Sequence, residues 1–364
     1  MEKTGKKELL SATATTPAYQ GNKRRLSSLF SLYPVTRFPR TASLILTFCA
    51  SFFILILRPG VSFAIDSRAG TSGATFLKLG AGSPRAQALG RAYVALAEGP
   101  DAMVWNPAGI ASSQLKEVQF SYLNWLQGYS GQYLGYVHPV GQTVLGVNIA
   151  SFGMDGFEVR DEQGFLLQNE IVRVQDGFAS LNAARSFFLE RFLVGANIKG
   201  ISENNDGTKH TAVVFDAGAL LKIGRRLSLG WAVQNMGGNT DDVARIHRFG
   251  AAVKAFPFLT LSVENEAACD NRSRIGIGAE IILPEQLLQM GKVSFRAGYF
   301  SSDSYGQSDD GMLKRLNLDR SSGFSIGFGL YTAEIFGYGL GLDYAMVPYG
   351  ALGKSSQVSL RFQF

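Results

Sequence analysis

From about Lys116 to the C-terminus, hydrophobic side chains recur at every second position. In 336–346 one face carries Phe336, Tyr338, Leu340, Leu342, Tyr344 and Met346, and the other carries Gly337, Gly339, Gly341, Asp343 and Ala345. In 357–364 Val358, Leu360, Phe362 and Phe364 oppose Gln357, Ser359, Arg361 and Gln363, and 227–234 and 293–299 repeat the pattern. Successive side chains of a strand point to opposite faces. The chain therefore reads as strands with one aromatic and aliphatic face and one small or polar face.

A soluble sandwich alternates in the same way, and two features favour a membrane barrel instead. Charged residues (Lys199, Glu264, Glu280, Arg296, Asp343, Arg361) fall on the small-residue face, as a wet lumen requires. The connections also alternate in length. Tight ones include Pro139-Val140-Gly141, Gly224-Arg225, Phe256-Pro257 and Thr332-Ala333-Glu334, and long polar ones span 155–168, 203–208, 236–242 and 302–321. Outer-membrane barrels pair short periplasmic turns with longer external loops. The connection at 283–290 and the short one near Gln127 depart from the rule. The expected fold is all-β: a transmembrane antiparallel barrel of about 14 strands over 116–364. Both ends of the mature chain are expected in the periplasm.

The first 64 residues hold nine of the 35 Lys and Arg and two of the 29 Asp and Glu. The remainder carries 26 basic and 27 acidic residues, so the +6 net charge belongs to this leader and gives no reason to expect a nucleic-acid partner. Arg37 and Arg40 precede an apolar run over 42–57, then Pro59-Gly60 and Val61-Ser62-Phe63-Ala64, a loose small-x-small signal. The leader reads as a signal peptide cut after Ala64. An uncleaved membrane anchor is the alternative, although the run is short of the ~20 residues a spanning helix needs. Cys269 would be left alone after cleavage, which excludes an intrachain disulfide. Without a second long apolar run, a membrane form must be a closed barrel, since lipid leaves no backbone group unpaired.

Residues 65–115 break the period. Pro84 to Glu98 reads as a helix with Ala86, Leu89, Ala92, Tyr93 and Leu96 as its apolar stripe, stopped by Gly99-Pro100. Asn106 can cap a turn that begins at Pro107. The segment is too poor in apolar surface to fold alone and is expected inside the lumen as a helical plug. There Arg85 and Arg91 would either tether it to wall acids or remain solvated.

Phe76-Leu77-Lys78-Leu79-Gly80, then Pro84-Arg85-Ala86-Gln87-Ala88-Leu89-Gly90-Arg91-Ala92-Tyr93-Val94-Ala95-Leu96-Ala97, then Trp105-Asn106-Pro107-Ala108-Gly109 together resemble the N-terminus of the PorV/PorQ family. That family is related to the FadL outer-membrane transporters, whose Asn-Pro-Ala motif Asn106-Pro107-Ala108 matches. The resemblance covers roughly 74–112 and implies a monomeric outer-membrane barrel with a hatch. For FadL-type members it implies passive uptake of hydrophobic molecules such as long-chain fatty acids. For PorV-type members it implies a part in type IX secretion, shuttling or anchoring cargo proteins at the cell surface. A purely structural barrel is a third reading. The terminal strand ending in Phe362 and Phe364 looks like the signal read by the barrel-assembly machinery.

Enzyme signals are poor. His138, His210 and His247 lie on separate segments without metal spacing. No G-x-S-x-G elbow occurs, and Gly353-Lys354-Ser355 lacks the upstream Gly of a P-loop. No cofactor, metal or catalytic residue is expected. The acidic 303–310 stretch reads as a solvated loop before a Ca²⁺ site. Lys199 and Arg296 are candidate lumen contacts for a carboxylate ligand. Pairing with Glu264, Glu280 or Asp343 is the favoured reading for both, because buried charges are usually paired.

Overall fold

The computed structural model describes residues 70–161, 163, 165–239, 242–283, 291–302, 310–315, 318, 322–335 and 338–364. The leader, Phe336 and nearly all of the acidic 303–310 stretch lie outside the described residues. Fourteen antiparallel strands form a closed barrel in simple sequence order. They are β1 (Glu117–Asn124), β2 (Ser130–Val140), β3 (Thr143–Arg160), β4 (Leu166–Phe187), β5 (Phe192–Asn205), β6 (Thr208–Ile223) and β7 (Leu227–Met236). Then follow β8 (Ile246–Phe256), β9 (Leu259–Ala268), β10 (Arg274–Leu283), β11 (Lys292–Phe300), β12 (Phe324–Ile335), β13 (Tyr338–Pro348) and β14 (Lys354–Gln363). β1 closes on β14, Glu117 opposite Gln363, and the Lys116 and Phe364 backbones exchange hydrogen bonds of 3.2 and 2.9 Å. No sheet edge is left open, which is the condition for strands in lipid.

The molecule is inside-out relative to a soluble sandwich. Phe120, Leu134, Ile149, Leu181, Phe249, Phe295 and Leu360 are exposed on the outer wall, while Gln119, Asn148, Asn182, Lys199, Arg248, Glu264 and Arg296 are buried inside. The strand count and the two faces are as the alternation predicts. Among the described residues no helix is long and apolar enough to cross a membrane.

The loop lengths need correction. Two connections read as long loops are strand. β3 and β4 stay paired out to Arg160 and Leu166, through register shifts after Met154, and β5 and β6 close on Asp206-Gly207 alone. Polar residues that pair with each other continue a hairpin beyond the apolar band of the barrel wall, and composition alone does not separate them from a loop. The asymmetry of the two ends survives, because 301–323 joins β11 to β12 at the same end. We call that end outer and the end bearing Phe364 inner.

A second correction concerns the chain ends. The Ala74 amide donates to Glu203 Oε2 at 3.1 Å, and a Cβ on Gly73 would stand 2.8 Å from the Asp242 carbonyl. Both partners belong to the outer end, opposite Phe364. From Gly70 the chain therefore runs inward through the lumen before β1 begins, and the two ends of the described chain do not share a side.

Candidate functional site

Inside the barrel lie one short helix, α1 (Pro84–Ala88), and 3-10 turns over Thr75–Leu79, Pro100–Val104 and Pro107–Ser112. Ser83 caps α1, its Oγ accepting from the Ala86 amide at 3.2 Å. The helix expected from Pro84 to Glu98 stops at Ala88. Gly90 and Arg91 turn left-handed, at φ 59° and 64°. Gly90 is wedged against the wall: a Cβ there would stand 2.4 Å from the Tyr299 amide of β11. Its own amide donates to Ser325 Oγ at 3.0 Å. Glu264 of β9 then takes the amides of Tyr93 and Val94 at 2.8 and 2.7 Å. A wall carboxylate thus takes two amides that a continued helix would have used, while the Ala92 and Leu96 amides turn back on Leu89 and Tyr93 within the segment.

Asn106 sits at the centre. Its Oδ1 accepts from the Ala108 amide at 3.2 Å, capping the turn that starts at Pro107. Its Nδ2 donates to the Val94 carbonyl at 2.9 Å and to the Ala219 carbonyl of β6 at 3.2 Å. The wall makes room with glycine. A Cβ on Gly218 would stand 2.0 Å from Asn106 Oδ1, and one on Gly195 would stand 2.5 Å from the Pro107 carbonyl. The small-residue face of these strands is therefore a seat for the plug backbone as well as a lumen wall.

The segment has an apolar side and a charged side. Leu89, Tyr93, Met103 and Ile110 pack with Val137, Val144, Ala184, Leu193 and Leu220 of β2–β6. Toward β8–β14 the contacts are ionic. Arg85 grips Glu280 through Nε and Nη2 at 2.9 and 2.7 Å, and reaches Glu98 with Nη1. Glu280 also accepts from Arg296 Nε at 2.7 Å, and Arg296 pairs with Asp343. Arg91 donates to Glu266 at 3.0 Å and to the Lys78 carbonyl at 2.8 Å. Glu266 and Glu264 share Arg248 at 2.7 and 2.8 Å. The Trp105 ring lies under both Arg248 and Arg91, 4.4 and 5.6 Å from their guanidinium carbons. Asp101 takes the Ser83 hydroxyl and pairs with Arg361 at 3.3 Å. Burial pushes the Asp101 carboxyl up to about 6, against the downward pull of Arg361 and Ser83.

The two lumen cations singled out from sequence are both engaged. Lys199 pairs with Asp216 at 2.9 Å and donates to Asn235 at 3.0 Å, and Arg296 holds Glu280 and Asp343. Neither pairs with Glu264, whose partner is Arg248. Arg248 and Glu266 were missed in the sequence, although each has the parity of the lumen face: Arg248 with Gly250 and Ala252, Glu266 with Glu264.

Two spaces flank the plug. Toward the outer end, Phe76, Leu77, Val104, Phe152, Phe178 and Ile246 surround a recess of about 20 Å³ whose polar side is Lys199, Gln234 and Asn235. That is room for about one water. Toward the inner end, Arg85, Glu98, Glu117, Glu280, Arg296 and Asp343 line a cavity of about 460 Å³. The plug residues Ala86, Leu89, Trp105 and Ala108 are at most 1% exposed, so the lumen is filled at their level. The first space is aromatic with a single ionic pair, and the second is polar and ionic.

No family model matches the chain, and no curated protein matches it. Solved structures do. A Pseudomonas aeruginosa FadL homologue superposes with a TM-score of 0.50 at 11% identity, covering 78% of this chain and 98% of its own. The Ralstonia pickettii toluene transporter TbuX superposes with a TM-score of 0.53 at 13% identity, covering 77% of this chain and 97% of its own. The shared feature is the fold, a FadL-like fourteen-strand barrel.

Proposed function

We propose that this protein is an outer-membrane channel of FadL type that admits hydrophobic small molecules, long-chain fatty acids among them, by passive diffusion. The observation that carries the reading is the aromatic recess above the plug. Phe76 and Phe152 meet at 5.1 Å, and Phe152 and Phe178 at 6.4 Å, so the entry side offers ring faces to an apolar guest. Its small volume makes this a closed state, and a guest must lift the 75–79 turn that carries Phe76. Lipid covers the outer wall, and Asn106-Pro107-Ala108 with Arg85 and Arg91 sets the plug's seat. Lys199 beside the recess is the group that would receive a fatty-acid carboxylate. Whole-cell uptake of labelled oleate and labelled toluene tests the reading. Both are expected to fall on deletion of the gene and return on complementation. Unchanged uptake of both would reject the function, and co-purification with secreted cargo would favour the secretion role instead.

Lys199→Met separates the two guests. If the ammonium turns from Asp216 to a carboxylate guest, oleate uptake falls about tenfold, as the loss of one charge-assisted hydrogen bond implies. Toluene uptake is expected to hold. An equal effect on both would show that Lys199 serves only to neutralise Asp216.

The C-terminal strand makes its own prediction. Phe364→Ala removes a side chain that packs on Phe362 at 5.6 Å and lies 5.9 Å below the Lys116 ammonium. If the terminal aromatic is the assembly signal, the heat-modifiable folded band in outer-membrane fractions is expected to drop severalfold. Refolding of the purified chain into detergent is expected to change little.

A further inference from the structure

The inner ends of β4–β9 carry a run of cations that the plug does not use. Arg185 and Arg191 flank the β4–β5 turn, Lys222, Arg225 and Arg226 surround the β6–β7 turn, and Lys254 precedes the β8–β9 turn. All but the half-buried Lys222 are exposed. Glu190 is the one acid described in these turns. Among the described residues none of the six cations forms an ion pair, and Arg185 donates to the Gln142 amide oxygen at 3.4 Å. They stand side by side across hairpins: the Lys222 amide donates to the Arg191 carbonyl at 2.7 Å, and the Lys254 amide to the Arg226 carbonyl at 2.8 Å. The outer end, in contrast, mixes signs, with Asp206, Lys209, Asp242 and Arg245 in neighbouring connections.

Large apolar side chains run between these cations. Phe188 and Leu189 are 78% and 95% exposed at the tip of the β4–β5 turn. Phe188, Leu189 and Glu190 hold left-handed backbones in succession, φ 53°, 56° and 63°. Bulky residues rarely accept that conformation, so the turn spends backbone strain to present an apolar tip. Ile223, Phe256 and Phe258 are exposed at the neighbouring turns, and the Arg185 guanidinium lies 5.5 Å from the Phe187 ring. Arg185 shares the parity of Leu181, on the lipid-facing wall. Lys222 and Lys254 instead take the lumen parity of Leu220 and Ala252. Arg185, Arg191, Arg225 and Arg226 are therefore the cations that meet the apolar side chains at the level where a bilayer passes from acyl chain to headgroup.

We propose that the β4–β9 inner rim is a binding site for anionic phospholipids of the periplasmic leaflet. Phosphates lie among Arg185, Arg191, Arg225 and Arg226, and acyl chains lie against Phe187, Ile223 and Phe256. A folded protein partner would need a compact patch facing the periplasm. This one wraps along three successive turns and continues the lipid-facing surface, which fits a membrane. The inference rests on reading the chain as an outer-membrane barrel and is independent of what the channel carries.

The test uses the full chain refolded in nanodiscs of phosphatidylcholine with a minor share of phosphatidylglycerol, then released into mild detergent. Native mass spectrometry counts the lipids retained. A Lys or Arg at a charged membrane surface changes affinity about fivefold, so retention of phosphatidylglycerol over phosphatidylcholine is expected at about tenfold or more. It should fall as salt rises. Arg191→Gln/Arg225→Gln/Arg226→Gln should reduce the preference to about twofold, whereas Lys209→Gln/Arg245→Gln/Lys354→Gln at the outer end should leave it intact. Uptake through the triple variant should be unchanged, which separates this proposal from the transport reading. Equal retention of the two lipids by the wild type, at any salt, overturns the proposal even if the variant fails to fold. Equal losses in the inner and outer variants overturn it too, as does full displacement by soluble glycerophosphoglycerol, which would make the site one for free phosphodiesters.

Discussion

Asn106→Leu is expected to unseat the plug and convert a closed barrel into a leaking one. The substitution keeps the volume and removes the amide. The Val94 and Ala219 carbonyls and the Ala108 amide then lose their partners at a position with no exposure. Each buried polar group left unpaired costs about 1–3 kcal/mol, so the docked plug should lose roughly 3 kcal/mol or more. The same result is expected from the opposite side. Gly218→Val puts a Cβ 2.0 Å from Asn106 Oδ1 and 3.0 Å from Pro107 Cδ, so the Asn106 side chain cannot keep its place. Gly200→Val is the control, since a Cβ there meets nothing within 4 Å. Planar-bilayer conductance should rise in the first two variants and not in the third, and residues 75–112 should become open to protease from the detergent-solubilised barrel. A plug that stays closed and resistant in both Asn106→Leu and Gly218→Val would show that the Asn106 turn does not hold the plug in its seat.

Glu280→Leu is expected to have the second large effect. The carboxylate is almost wholly buried and stands between two guanidiniums, Arg85 on the plug and Arg296 on the wall. Removing it leaves two like charges facing each other across the lumen with Glu98 and Asp343 as their remaining partners. Breaking a buried ion pair on one side costs about 3–5 kcal/mol. The midpoint of heat-modified gel mobility should therefore fall, and conductance should rise. Arg85→Met combined with Glu280→Leu should cost less than Glu280→Leu alone, because the buried plug guanidinium goes with its partner and Glu98, which also loses Arg85, is half exposed to solvent. Strict additivity of the two changes would show that the pair is not coupled. Against Asn106→Leu, this variant separates the ionic side of the plug from its backbone seat.

Different parts of this architecture were legible to different degrees. The period of two is a local property, so the strands, their two faces and the aromatic end at Phe362 and Phe364 could be read directly. The lumen position of Glu264, Glu280 and Arg296 followed from parity alone. Parity says which face a side chain takes and nothing about which residue meets it across the lumen. Arg85 and Glu280 are 195 positions apart, and Arg91 and Glu266 are 175. The stripe from Ala86 to Leu96 also suits a helix, and local propensity favours one. The wall overrides it, because Gly90 is pressed against β11 and Glu264 takes the next free amides.

By itself, then, the sequence determined that this chain closes into a barrel with lipid-compatible side chains outside and charge inside. Alternation and the need to pair every backbone group in lipid leave no other spanning form. Tertiary structure decided how the lumen is closed. Which glycine admits Asn106, which acid holds each arginine, and that the chain enters from the outer end are set by contacts between strands distant in sequence. Those contacts exist only once the barrel has brought the strands round.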